Sequence, residues 1–157
     1  MNDQHASDHY ASVMTTFPLL EGFTLAGANM LLEAGEIRRY APGQLLFKED
    51  DPPEFAALLL SGTFQVFLKR GEGEFMLVES EPGTILGELG VICGIPRSAS
   101  VRAKGECVVL LWKAKDFGKL LLRHNVLADR VLGQSLRNLI QKERSLVDAL
   151  TRGQPAS

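Results

Sequence analysis

Apolar residues change their spacing twice along this chain. From Gly35 to about Trp112 they come in short runs. Turn signals separate these runs at Pro42-Gly43, Asp50-Asp51-Pro52-Pro53, Ser61-Gly62, Gly71-Glu72-Gly73, Pro82-Gly83 and Lys104-Gly105. Strands of this length at this spacing predict a compact antiparallel barrel or jelly roll, not alternating β-α units. In 63–68, Phe64, Val66 and Leu68 share one strand face, while Phe67 says that the other face is not simply wet. Phe17 to Leu32 has mixed apolar spacing, which predicts one or two short helices broken near Gly22. From Asp116 onward Gly and Pro become scarce, and Leu132, Leu136, Leu139, Leu146 and Leu150 follow an a/d stripe with Glu143 in the missing seam position.

The expected fold is mostly β with flanking α. A single domain over 15–150 comprises an antiparallel β-roll at about 35–113 and a helical part at about 114–150 that ends in a long helix. Residues 1–14 show no sustained apolar period and read as a mobile tail, and 151–157 as a second tail. The leucine stripe has two readings: packing of the helix on its own barrel, or the seam of a two-helix dimer.

Composition narrows the function classes. The chain has 157 residues, 45% of them apolar and 23% charged, which suits one packed domain rather than disorder. Its formal net charge of -2 lacks the basic excess with which nucleic-acid binders meet phosphate backbones. The opening MNDQHASDHY has no basic start followed by an apolar run, and no apolar stretch approaches a membrane span, so a cytoplasmic location is expected. Cys93 and Cys107 have neither metal-ligand spacing nor the makings of a disulfide framework.

The stretch Leu86 to Val101 carries the chemistry. Gly87 lets the backbone approach a ligand closely, and the residues after it suffice for one short helical turn whose N–H groups would face an anion. Glu88 is an acceptor for hydroxyls or a guanidinium. Arg97 supplies a fork of donors suited to phosphate, Ser98 adds a hydroxyl, and Pro96 fixes the approach to Arg97. By themselves, a Glu and an Arg nine residues apart would sooner be read as a surface ion pair.

Gly87-Glu88-Leu89, a short helix and Pro96-Arg97-Ser98-Ala99 resemble the phosphate-binding cassette of cyclic-nucleotide-binding domains. The continuation through Val101-Arg102-Ala103-Lys104 is similar to the sensory domains of bacterial catabolite activators, and Pro42-Gly43-Gln44 and Leu60-Ser61-Gly62 agree with that family. The resemblance covers about residues 17–145. It implies that amides around Gly87, Glu88 and Leu89 cap a cyclic phosphate, that Glu88 accepts from the ribose 2′-hydroxyl, and that Arg97 and Ser98 bind the phosphate beside Ala99. It further implies an apolar wall of Val66, Leu77 and Leu86, residues that could also be plain core. Base contacts fall at Lys142 and Glu143, with Asn138 one turn earlier, where catabolite activators carry hydroxyl residues. Members selective for cyclic GMP often have Thr after the arginine, so Ser98 implies cyclic AMP in preference to cyclic GMP.

The expectation is therefore a stand-alone cyclic-nucleotide receptor with no further cofactor. It would signal through its C-terminal helix to an effector protein or a second subunit, with a homodimer through that helix as one possibility. The alternative is an interaction or scaffold module that kept the roll and no longer binds nucleotide. Neither catalysis nor DNA binding is expected. No His, carboxylate pair or metal cluster stands in the cassette to activate water, and the chain ends at Ser157, soon after the long helix. His5, His9 and His124 lie outside the barrel, which disfavours a metal or haem site inside it, and two cysteines cannot hold an iron–sulfur cluster.

Overall fold

The computed structural model describes residues 3–152. Helix α1 (Asp3–Met14) leads through a 3-10 turn at Pro18–Leu20 to α2 (Leu25–Glu33). Thr24 caps α2 by accepting the Gly27 N–H at 3.0 Å, and Gly22, with φ of 87°, makes the break before it. The strands follow as β1 (Glu36–Tyr40), β2 (Leu45–Phe47), β3 (Phe55–Ser61), β4 (Phe64–Arg70), β5 (Gly73–Ser80) and β6 (Ile85–Leu86). A short helix, α3 (Glu88–Cys93), interrupts them before β7 (Ser100–Ala103) and β8 (Cys107–Lys113). Helix α4 (Ala114–Arg123) and the 27-residue α5 (Asn125–Thr151) complete the described chain.

The eight strands form two antiparallel sheets, β1-β8-β3-β6 and β2-β7-β4-β5, which face each other as a roll. Alternation assigns their inner faces. Phe64, Val66 and Leu68 pack inside with Leu59, Val101, Val109 and Leu111. The outer face of β3 and β8 is apolar as well, because helices cover it: Leu58, Leu110 and Trp112 pack against Leu31, Phe117 and Val131. Trp112 donates its indole N–H to the Leu31 carbonyl at 2.9 Å, so this buried ring satisfies its polar edge while joining sheet and helix. Phe67 is covered from outside by the guanidinium of Arg102, 4.2 Å above the ring and itself paired with Glu74.

Within the expected 1–14 tail, the described residues differ from that reading. From Asp3 they form α1, whose Ala11 and Met14 are fully buried against the helical core. Tyr10 and Val13 pack beside them, so the last turns of this polar helix supply the apolar contact that docks it. At the other end Thr151 still belongs to α5, and the rest of the expected 151–157 tail beyond Arg152 lies outside the described residues. The leucine stripe divides in two. Leu146 turns in against the roll, while Leu132, Leu136, Leu139 and Leu150 stay between 46% and 73% exposed, joined by Ile140 and Val147.

Candidate functional site

The turn into α3 is built around Gly87, which is N-cap at φ of 75°, a left-handed conformation that side chains other than glycine's rarely adopt. Space imposes the same choice. A β-carbon there would lie 2.6 Å from Arg97 Nη1 and 2.9 Å from Phe47 Cε2. Gly94, at φ of 65°, ends the helix after six residues, and the chain returns through Pro96 to Arg97.

Arg97 is 3% exposed. Its backbone is held by the 50–51 loop: the Arg97 N–H donates to the Asp51 carbonyl and its own carbonyl accepts the Asp50 N–H, both at 2.9 Å. The side chain then runs inward. Nη1 donates to the Gly87 carbonyl at 2.7 Å and Nη2 to the Phe55 carbonyl at 2.6 Å. The rings of Phe47 and Phe55 lie 4.0 and 4.9 Å from the guanidinium carbon. Nε is buried and has no hydrogen-bond acceptor, and these two bonds use only part of a five-donor fork. Burial pulls the Arg97 pKa below its ordinary value, opposed by the charges of Asp51, Glu88 and Glu54.

This guanidinium borders a cavity of about 310 Å³, at the lower end of the range of small-molecule sites. The cassette contributes Gly87, Glu88, Leu89, Arg97, Ser98 and Ala99 to its lining, the roll contributes Val66 and Leu86, and α5 contributes Asn138 and Lys142. Most of the sequence-derived site thus converges on one space. Two residues do not. Leu77 is absent from the lining because a β-bulge between Val66 and Phe67 shifts the register, so Val78 pairs with Val66 and faces the cavity while Leu77 packs into the roll core. Glu143 is exposed, one helical step past Lys142, and points away.

The cavity also holds residues that the cassette pattern did not reveal. Phe47 and Ser80 line it, from β2 and the end of β5, and Cys93 borders it from the last position of α3 as an exposed free thiol. Glu88 is 6% exposed, and its Oε2 accepts the hydroxyl of Ser135 from α5 at 2.5 Å. Lys142 sits over the cavity with its pKa lowered by burial, an effect that the Glu88 charge partly opposes. The site therefore combines an apolar wall, one buried fork of donors, one buried acidic acceptor and a lysine from the covering helix. Among the described residues no group of three or more His, Cys, Asp or Glu could hold a metal ion, and no helix is long and apolar enough to cross a membrane.

Comparison with known proteins agrees with this geometry. The model of the cyclic nucleotide-binding domain family matches residues 37–124, from β1 to the end of α4. The cAMP-dependent protein kinase regulatory subunit of Colletotrichum orbiculare is 30% identical over 112 residues, which are 71% of this chain and 28% of that protein. The chain thus spans little more than a quarter of the length of this relative. The catabolite activator protein of Thermus thermophilus superposes with a TM-score of 0.71 at 26% identity, covering 85% of this chain and 63% of that one. The regulatory domain of Toxoplasma gondii PKA, solved with cAMP, shares the fold with a TM-score of 0.71 at 20% identity over 85% of this chain and 51% of its own. Since the family model alone takes in more than half of its residues, the chain belongs to the cyclic nucleotide-binding domain family.

Proposed function

We propose that this protein is a receptor module for a 3′,5′-cyclic purine nucleotide, taken up in the cavity between the roll, α3 and α5. The observation that carries this reading is Arg97: a buried cationic residue in the lining of an apolar cavity, with Nε lacking an acceptor and Glu88 lining the same space. An anion there would meet a charge already desolvated and oriented, where charge-assisted bonds are strongest. Glu88 supplies an acceptor for a ribose hydroxyl, and Val66, Val78 and Leu86 an apolar surface for the base. Cyclic AMP is the ligand we assign, with cyclic GMP the alternative. Ser98 can serve either, and the C. orbiculare relative is cAMP-dependent by name.

In this reading the nucleotide acts as a ligand and the protein as its receptor. The output runs through α5. This helix covers the cavity with Asn138 and Lys142 and carries the exposed leucine stripe, which suits a second subunit or an effector protein. A ligand shifts such a helix only by binding its two positions unequally, so an effect of about 1–3 kcal/mol is the expected scale. A scaffold role would suit a filled cavity or an Arg97 paired at the surface, and Arg97 is neither exposed nor paired with a carboxylate. Isothermal titration of the parent and of Arg97→Ala with cyclic AMP and cyclic GMP tests the proposal. Loss of the charge-assisted contact should weaken binding at least about tenfold. Equal affinity of the two proteins would remove Arg97 from the site.

A further inference from the structure

Ser135 lies on α5, 47 residues from Glu88 in sequence, yet its hydroxyl is bonded to the Glu88 side chain. It is 2% exposed, and its Oγ is 2.5 Å from Glu88 Oε2 and 2.8 Å from the Val131 carbonyl one turn back. A hydroxyl has one proton to give. The Glu88 oxygen is the nearer of the two acceptors, 2.5 Å against 2.8 Å, so the proton goes to Glu88 and not to the helix backbone.

The neighbouring residue makes this contact rigid. Gln134 accepts the Ile85 N–H at 2.6 Å and donates to the Gly83 carbonyl at 3.2 Å, which clasps this turn of α5 to the chain leading into the cassette. Ser135 therefore presents its hydroxyl from a fixed seat. A glutamate side chain has three torsions, and an oriented donor on one oxygen settles where the other oxygen stands. Oε1 makes no hydrogen bond among the described residues, and Glu88 lines the cavity.

From this we infer that Ser135 is a positioning residue for nucleotide recognition: it fixes the Glu88 carboxylate so that Oε1 meets the ribose 2′-hydroxyl. This deepens the receptor reading above and rests on it. Through the same bond, α5 becomes part of the ribose contact, so occupancy of the 2′-hydroxyl subsite is felt directly by the covering helix.

The test compares a ligand that has the 2′-hydroxyl with one that lacks it. Cyclic AMP and 2′-deoxy cyclic AMP are titrated calorimetrically into the parent, Ser135→Ala, Glu88→Gln and the double variant. Ser135→Ala should weaken cyclic AMP about fivefold or more while leaving the deoxy ligand within about twofold, because only the bond to Glu88 is misplaced. In the Glu88→Gln background the serine change should alter that ratio no further, as expected for a residue acting through Glu88. A purely structural serine would weaken both ligands equally, and an unchanged ratio in Ser135→Ala overturns the inference. If the alanine variant does not fold, Ser135→Cys, close in size but a weak donor, is read by the same ratio. Failure of the parent to bind either ligand is a different result: it removes the receptor reading itself, and this inference with it.

Discussion

Arg97 and Gly87 fix one another. Arg97 Nη1 donates to the Gly87 carbonyl at 2.7 Å, and a β-carbon on Gly87 would stand 2.6 Å from that same nitrogen. Gly87→Ala therefore meets two penalties: a left-handed φ of 75° and displacement of a buried guanidinium. Backbone strain alone is worth about 1–3 kcal/mol. Chemical denaturation should show a loss of that order, together with weaker nucleotide binding. A variant as stable as the parent would mean that the α3 entry can refold around a side chain.

Arg97→Lys separates charge from geometry. Lysine keeps the charge but cannot bridge two carbonyls or lie flat between Phe47 and Phe55. The Phe55 or Gly87 carbonyl is then left without its donor, at a cost of about 1–3 kcal/mol. Unfolding midpoints should fall and cyclic-nucleotide affinity should drop. Parental affinity in this variant would show that charge alone suffices.

Lys142 gives the protein a pH signature. Burial lowers its pKa in the folded chain, so in the window just below the ordinary lysine value of about 10.4 the unfolded chain holds a proton that the folded chain has released. Stability contributed by this group must therefore rise with pH through that window, and the buried charge costs stability at neutral pH. Lys142→Met should be the more stable protein at pH 7, by up to about 1 kcal/mol, and the difference should shrink as the pH approaches 10. A difference independent of pH would mean that the ammonium is solvated in the folded state.

The exposed stripe on α5 bears on assembly. Leu136 is 62% exposed and Leu150 73%, on one long helix and away from the roll. If this face is a seam between copies, sedimentation equilibrium of the parent should give a dimer, and Leu136→Glu combined with Leu150→Glu a monomer with unchanged thermal stability per chain. A parent that stays monomeric at high micromolar concentration assigns the stripe to an effector instead.

Much of this was legible in the sequence, and the parts that were not share a cause. The cassette could be read because Gly87-Glu88-Leu89 and Pro96-Arg97-Ser98-Ala99 stand at the separation found in a known family, whereas Glu88 and Arg97 alone would have read as a surface ion pair. The roll could be read from turn spacing, and the division of α2 from the preceding turn from Gly22. Phe47, Ser80 and Ser135 could not: the first two reach the cavity, and Ser135 reaches Glu88, from elements placed there only by the tertiary fold. Of the two readings of Leu77, wall or plain core, the roll core is where it packs: a bulge opposite Val66 and Phe67 pairs Val66 with Val78, and Val78 lines the cavity. Helix α1 was hidden because the residues that dock it, Tyr10, Ala11, Val13 and Met14, are bunched in its last turns after a polar start and form no sustained apolar period.

The central claim, that the cavity receives a cyclic nucleotide, is tested most directly by thermal unfolding of the parent with and without excess cyclic AMP and, in parallel, cyclic GMP. At a free concentration about 100-fold above the dissociation constant, linkage gives about 2.7 kcal/mol of stabilisation. For a domain of this size that is a rise of about 5–10 °C in midpoint, and the nucleotide giving the larger shift at equal concentration is the preferred one. No shift with either nucleotide at millimolar concentration would contradict the account and leave the roll as a scaffold.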